Sequence, residues 1–166
     1  MSTAKSTVST LLDGIAIERM SEHDLLEVVE IEERSGLSRW GWAAYYAELQ
    51  GVNRGLMLVA LAPKGTALEN RGIVGYIVAR ETAGELHINN VAVSDAYRRQ
   101  GIGSALLNRI VEEGNRLGAT VAFLEVRAGN TAARALYEKC GFKAIARRAN
   151  YYSEPDEDAL VMSFVL

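Results

Sequence analysis

Two stretches of the chain bring reactive residue types together at spacings a fold can use. In Val91-Ala-Val-Ser-Asp-Ala-Tyr-Arg-Arg-Gln-Gly-Ile-Gly-Ser-Ala-Leu-Leu107, an apolar strand ends at Val93, a polar turn follows, and a basic, glycine-containing loop opens a helix. Arg98 and Arg99 supply positive charge, and Gly101 and Gly103 carry no side chain, so a ligand can approach the backbone closely. The unpaired N–H groups and positive dipole end of the helix's first turn point into the same space. Such a corner suits an anion, a pyrophosphate in particular. In the second stretch, Phe123 to Phe142, Glu125 interrupts an apolar strand, Asn130 stands at a helix start and Tyr137 lies on that helix's inner face with Ala133. A carboxylate in an apolar strand is costly unless it is paired or wetted by a cavity. Three plainer readings stand beside the chemical one: Glu125 paired at a rim with Arg127, Asn130 as a helix cap, and Tyr137 as core.

The first stretch lacks the lysine of a Walker loop. It also has Leu106 where a dinucleotide fingerprint needs Gly or Ala. It resembles the acetyl-CoA loop of the GNAT acetyltransferases, Arg/Gln-x-x-Gly-x-Gly/Ala, which reads here Arg98-Arg99-Gln100-Gly101-Ile102-Gly103. The second stretch resembles the same family's closing motif through Asn130, Ala133, Leu136, Tyr137, Gly141 and Phe142. Leu124-Glu-Val-Arg-Ala and Arg147-Arg-Ala-Asn-Tyr-Tyr152 sharpen the likeness toward the bacterial ribosomal-protein alanine N-acetyltransferases, the RimI type. That resemblance implies acetyl-CoA as co-substrate and a protein N-terminus, of a ribosomal protein with N-terminal alanine, as acceptor. It further implies Glu125 as base, Tyr137 as acid and Asn130 as a CoA contact, with Tyr151 and Tyr152 walling the peptide groove. Two departures stand out: one residue more than the usual Arg-Asn-Tyr-Tyr, and Arg-Gln-Gly where Arg-Arg-Gly is frequent.

Acetyl transfer to an amine makes three demands. An α-amine of pKa ~8 must lose a proton, and Glu125 can accept it, directly or through water, the more readily if partial burial raises its own pKa. The oxyanion needs preset donors, which Val91, Ala92 and Val93 can offer from the backbone if their strand splays from its neighbour. The departing thiolate needs a proton, which a phenol of pKa ~10 such as Tyr137 can give. Arg98 to Ser104 would then hold the pyrophosphate, with pantetheine lying along the Val91 strand as an added strand. Alternatives on the same residues are a GNAT acting on a small amine or a lysine side chain, and a non-catalytic acyl-CoA-binding module.

The elements that must position these groups follow from periodicity. Gly14 to Met20 reads as a strand, Ser21 as an N-cap, and Leu25 to Ile31 as the apolar face of a helix ending near Gly36. The aromatic-rich piece Leu37 to Leu49 reads as a second helix, with Trp42 and Tyr46 anchoring it to the sheet and Trp40 and Tyr45 as candidates to line a peptide groove. Strands are expected at Leu56 to Ala62, Gly72 to Glu81, Glu85 to Val93, Thr120 to Val126, Lys143 to Arg148 and Ala159 to Leu166. A hairpin turn falls at Ala83-Gly84, and helices open at Gly101 and Asn130. Pro63 to Arg71 reads as a polar loop. The expected fold is α/β: a GNAT (acyl-CoA N-acyltransferase) fold with a mixed sheet of about seven strands flanked by about four helices.

Residues 1–13 read as a flexible tail and 14–166 as a single domain, sizes consistent with one core. One cysteine and two histidines make a metal site improbable, and His87 reads as a satisfied sheet residue or, with Asn90, an orienter of water. A net charge of -3 argues against a nucleic-acid partner. No apolar run approaches the ~20 residues of a membrane helix, and the compartment expected is the cytoplasm. The acidic run Glu154, Asp156, Glu157 and Asp158 reads as a solvated loop before a lure for a basic peptide.

Overall fold

The computed structural model describes residues 14–36, 39–63 and 72–166; the expected tail and most of the expected polar loop lie outside them. In chain order the elements are β1 (Ala16–Arg19), α1 (Leu25–Arg34), α2 (Gly41–Leu49), β2 (Met57–Leu61), β3 (Ile73–Thr82), β4 (Glu85–Val93), α3 (Ile102–Arg116), β5 (Val121–Arg127), α4 (Thr131–Lys139), β6 (Lys143–Tyr152) and β7 (Glu157–Val165). The strands form one mixed sheet in the order β1-β2-β3-β4-β5-β7-β6. Every neighbouring pair is antiparallel except β4 and β5, which run parallel across the α3 crossover. The expected α/β architecture, a mixed sheet of seven strands flanked by four helices, is therefore the observed one among the described residues.

Local sequence explains the joints. Ala83 and Gly84 both have positive φ, 51° and 85°, as a two-residue hairpin between right-twisted strands requires. Asn130 caps α4 by accepting the Ala133 N–H at 3.1 Å, so its capping role is present. Ser21 donates its N–H to Asp24 at 2.8 Å and opens a short 3-10 turn that leads into α1.

Each face of the sheet has its own apolar cluster. Helices α3 and α4 pack through Ile102, Leu106, Ile110 and Tyr137 against one face, and α1 and α2 pack through Leu25, Val28, Ile31 and Tyr45 against the other. Burial of each such large side chain contributes about 1.5–3 kcal/mol. Strand β4 serves both clusters because it carries a bulge: Val78 pairs with Asn90 and the adjacent Ala79 with Ile88, leaving Asn89 as the extra residue. A one-residue slip reverses every later side chain. Leu86 and Ile88 accordingly belong to the α3 cluster, whereas Ala92 belongs to the α1 cluster and Val91 and Val93 turn toward α3.

The aromatic helix departs from expectation. Trp42 and Tyr46 do not anchor α2 to the sheet; they stack on each other at 4.9 Å on its outer side, 44% and 36% exposed. The four-residue spacing fixed that they share a face, and Tyr45, wholly buried, took the inner one. The closing strands also run longer than their apolar cores suggest, β6 to Tyr152 and β7 from Glu157, because polar side chains pair across the hairpin.

Candidate active site

The site opens where β4 and β5 part. Their pairing runs from Glu85↔Val121 to Ile88↔Leu124 and no further, because the bulge at Asn89 turns β4 away. Beyond it, the Ser94 N–H bonds to Val74 of β3 at 2.8 Å. Alternation along an antiparallel strand then gives Ala92 the same direction and turns the N–H and C=O of Val91 and Val93 to the open side. Of the three expected backbone contacts, Val91 and Val93 face the gap and Ala92 is spent on the sheet.

The glycine loop lies at the far end of this edge. Gly101 has φ of 83° and Arg99 of 61°, a left-handed path that turns the chain sharply into α3 and suits glycine. Arg99, Gln100 and Gly101 are exposed, while Ser104 is half-buried. Arg98 braces the loop from within: its Nε donates to the Val93 carbonyl at 3.2 Å and its Nη2 meets Asp95 at 3.0 Å. Gly103 has a different reason from the one expected. It is buried, and a Cβ there would stand 3.0 Å from Leu136 of α4, so its missing side chain admits a neighbouring helix, not a ligand. Ile102 likewise is core and can offer only its backbone.

A cavity of about 200 Å³ occupies the gap, lined by Trp40, His87, Asn89, Asn90, Glu125, Tyr137, Tyr151 and Tyr152 among others. Glu125 points into it from β5 and Tyr137 from α4. The Glu125 carboxylate accepts from His87 Nε2 at 2.6 Å, with side chains 13% and 42% exposed respectively. This hydrogen bond holds Glu125 below the usual carboxylate range, outweighing the upward push of burial. The expectation that burial would raise Glu125 is thus corrected: His87 dominates. With Glu125 ionised, His87 Nε2 carries the hydrogen of this bond, and the Asn89 carboxamide lies 3.3 Å from Nδ1. Burial, then the nearby Tyr152, pushes the Tyr137 phenol well above its ordinary value, so it stays protonated throughout the physiological range.

His87 bonds to Glu125, a contact beyond the satisfied sheet residue or orienter of water that its place in the sequence suggests. The signal was its polar position on the strand leading to the glycine loop; what hid the contact was a parallel register joining residues 38 apart in sequence. Arg127 does not pair with Glu125. Its guanidinium reaches Ser153 O at 3.3 Å, Pro155 O at 3.0 Å and Glu157 at 3.4 Å, and sits 4.5 Å from the Tyr152 ring centre. It thereby ties the β6–β7 hairpin to β5.

Three of the four expected aromatic wall residues line the cavity: Trp40, Tyr151 and Tyr152. Tyr45 does not; it lies buried beneath Trp40 at 5.3 Å between ring centres. Trp40 also meets Arg80 at 5.4 Å, which in turn pairs with Glu48 through two contacts of 2.9 and 2.8 Å. In the acidic run, Glu157 accepts the Gly129 N–H at 2.6 Å, and Asp158 joins Arg147 at 2.7 Å and the Asn150 N–H at 2.9 Å. These two carboxylates are structural and are not available as a lure for a basic peptide. The extra residue of the Arg-Ala-Asn-Tyr-Tyr segment falls in a β6 bulge between Arg148 and Tyr152, where Asn150 adopts φ of 52°. Among the described residues no helix is long and apolar enough to cross a membrane, and no group of three or more His, Cys, Asp or Glu is placed to hold a metal.

The profile of the Acetyltransferase (GNAT) family matches residues 25–142. A relative from Escherichia coli K12 named ribosomal protein bS18-alanine N-acetyltransferase is 39% identical over 97 residues, 57% of this chain and 66% of that protein, just under two thirds of its length. A protein of the same name from Haemophilus ducreyi is 31% identical over 153 residues, 90% of this chain and 99% of its own. The crystal structure of the ribosomal-protein-S18-alanine N-acetyltransferase from Escherichia coli superposes with a TM-score of 0.75 at 31% identity, covering 91% of this chain and 93% of that one.

Proposed function

The chain belongs to the GNAT acetyltransferase family, and from that premise we propose that it transfers the acetyl group of acetyl-CoA to the N-terminal α-amine of a protein, a ribosomal protein with N-terminal alanine. The observation that carries the reading is the convergence of Glu125, Tyr137 and three aromatic walls on one cavity where β4 and β5 part. The relatives named for the same reaction on ribosomal protein bS18 support it.

In this reading the exposed loop Arg99–Gly101 and the first turn of α3 receive the pyrophosphate, with Arg98 holding the loop's shape and Ser104 beside it. The backbone groups of Val91 and Val93 pair with the pantetheine amide and donate to the oxyanion. Asn130, the expected CoA contact, is exposed at the start of α4, its carboxamide oxygen committed to Ala133.

The depressed pKa of Glu125 decides when its proton moves. An α-ammonium of pKa ~8 does not yield its proton to a carboxylate of lower than ordinary pKa at equilibrium. The attacking amine is therefore the neutral fraction, its first proton left to solvent; Glu125 draws it into the cavity and takes the second proton as the N–C bond forms, when the nitrogen becomes far more acidic. His87 keeps that carboxylate ionised and aimed. As the C–S bond breaks, its electron pair stays on sulfur; the Tyr137 hydroxyl donates a hydrogen bond to that departing thiolate, which takes its proton from solvent as CoA leaves. Trp40, Tyr151 and Tyr152 flank the first residue of the acceptor. No covalent enzyme intermediate is needed.

Intact-mass analysis tests this directly. A peptide with a free N-terminal alanine should gain one acetyl group, while a matched peptide with a blocked N-terminus and an internal lysine should gain none. Acetylation of the lysine peptide alone would transfer the site to a side-chain acceptor.

A further inference from the structure

Beneath the Trp40 wall lies a buried polar joint that the reaction itself does not require. Glu32, near the end of α1, is only 1% exposed. Its Oε1 accepts the N–H groups of Trp40 and Gly41 at 3.1 Å each, and its Oε2 accepts the Tyr45 hydroxyl. Asn90 Nδ2 donates to that hydroxyl at 2.9 Å and lies 3.5 Å from Glu32 Oε2. The Tyr76 hydroxyl, 3.0 Å from that of Tyr45, completes the chain.

An apolar plug of similar volume can stabilise a fold as well as a buried carboxylate does. What a carboxylate with directional partners adds is position. One oxygen holds the start of α2, where the amide of Trp40 donates and its ring walls the cavity. The other holds the part of β4 just past the bulge, where Asn90 lines the cavity and the next residue, Val91, opens its backbone to the gap. The two sides of the cavity are thus joined through a single side chain.

We infer that Glu32 is a positioning residue for the acceptor, fixing the Trp40 wall relative to the β4 floor; the inference rests on the reading of this cavity as the acceptor site. Glu32→Gln keeps an oxygen for Trp40 and Gly41 but presents an NH2 group to the donors of Tyr45 and Asn90. It should raise the peptide KM about tenfold, as expected for loss of a charge-assisted hydrogen bond, and leave the acetyl-CoA KM within about twofold. Tyr45→Phe should raise the peptide KM about threefold, and the double variant should be no worse than Glu32→Gln alone, because both interrupt one network. Trp42→Ala, on the outer side of α2, is the control and should change neither constant. A fall in melting temperature with both KM values unchanged, or with both raised equally, would assign Glu32 a structural role only and overturn the inference. If Glu32→Gln does not fold, Tyr45→Phe decides alone, an unchanged peptide KM being the contradicting result. Should the wild-type protein acetylate a lysine peptide instead, the N-terminal reading fails, and the same KM split measured with that acceptor still tests Glu32.

Discussion

The proposed pyrophosphate loop draws its groups from seven consecutive residues, Arg98–Ser104, whereas the proposed acceptor wall draws Trp40, Glu125, Tyr137, Tyr151 and Tyr152 from the start of α2, from β5, from α4 and from β6. The first is a local conformation, made by one left-handed glycine and an arginine bonded back to the strand before it. The second exists only after the sheet has closed, and it is held by side chains at a distance: His87 on Glu125, Arg127 on the hairpin, Glu32 under Trp40. A contiguous site tolerates change elsewhere in the fold. An assembled one depends on its braces, so the two halves should respond to different substitutions and through different constants.

The largest effect separates chemistry from both halves. Glu125→Gln should lower kcat about 10²-fold or more and leave acetyl-CoA affinity intact. On the loop, Gly101→Val forces a branched residue into φ of 83°; left-handed backbone costs about 1–2 kcal/mol outside glycine, so acetyl-CoA KM should rise about tenfold with peptide KM unchanged. Steady-state kinetics with each substrate varied in turn checks this. On the wall, Arg127→Lys keeps the charge but loses the fork that reaches Ser153, Pro155 and Glu157. The peptide KM should rise about fivefold, the weight of one or two lost charge-assisted bonds, while acetyl-CoA KM stays put. An equal rise in both constants for either variant would erase the distinction between the halves.

The same distinction governs what could be read from the sequence. The hairpin at Ala83-Gly84, the opening of α3 and the Asn130 cap are local agreements between residue type and backbone, and each is legible without the fold. So is the pairing of Glu125 with Tyr137 as cavity residues, through the motif resemblance. His87 was not, because its contact with Glu125 depends on the parallel register of β4 and β5. Tyr45 was misplaced, because a helical period states which aromatics share a side but not which side faces the sheet. Gly103 looked like room for a ligand and proved to be room for Leu136, a distinction that only the packing of α3 on α4 makes.

The smallest predicted effect concerns His87. Because Glu125 has a depressed folded pKa, its contribution to stability is present above the unfolded value and is lost as pH falls through the folded one. Replacing His87 by Ala removes the cause of the depression. The gap in urea midpoint between wild type and His87→Ala should therefore narrow from pH 7 to pH 3, and a gap that stays constant would detach His87 from the titration of Glu125. The rate of transfer, by contrast, should climb with pH toward the amine's own pKa of ~8 in both proteins.

The most direct test of the account pairs two measurements on Glu125→Gln: calorimetric binding of acetyl-CoA and single-turnover transfer to the free N-terminal alanine peptide. Binding should stay within about twofold of wild type while transfer slows about 10²-fold or more. Transfer at the wild-type rate would place the reaction away from Glu125 and contradict the cavity as the site of acetyl transfer.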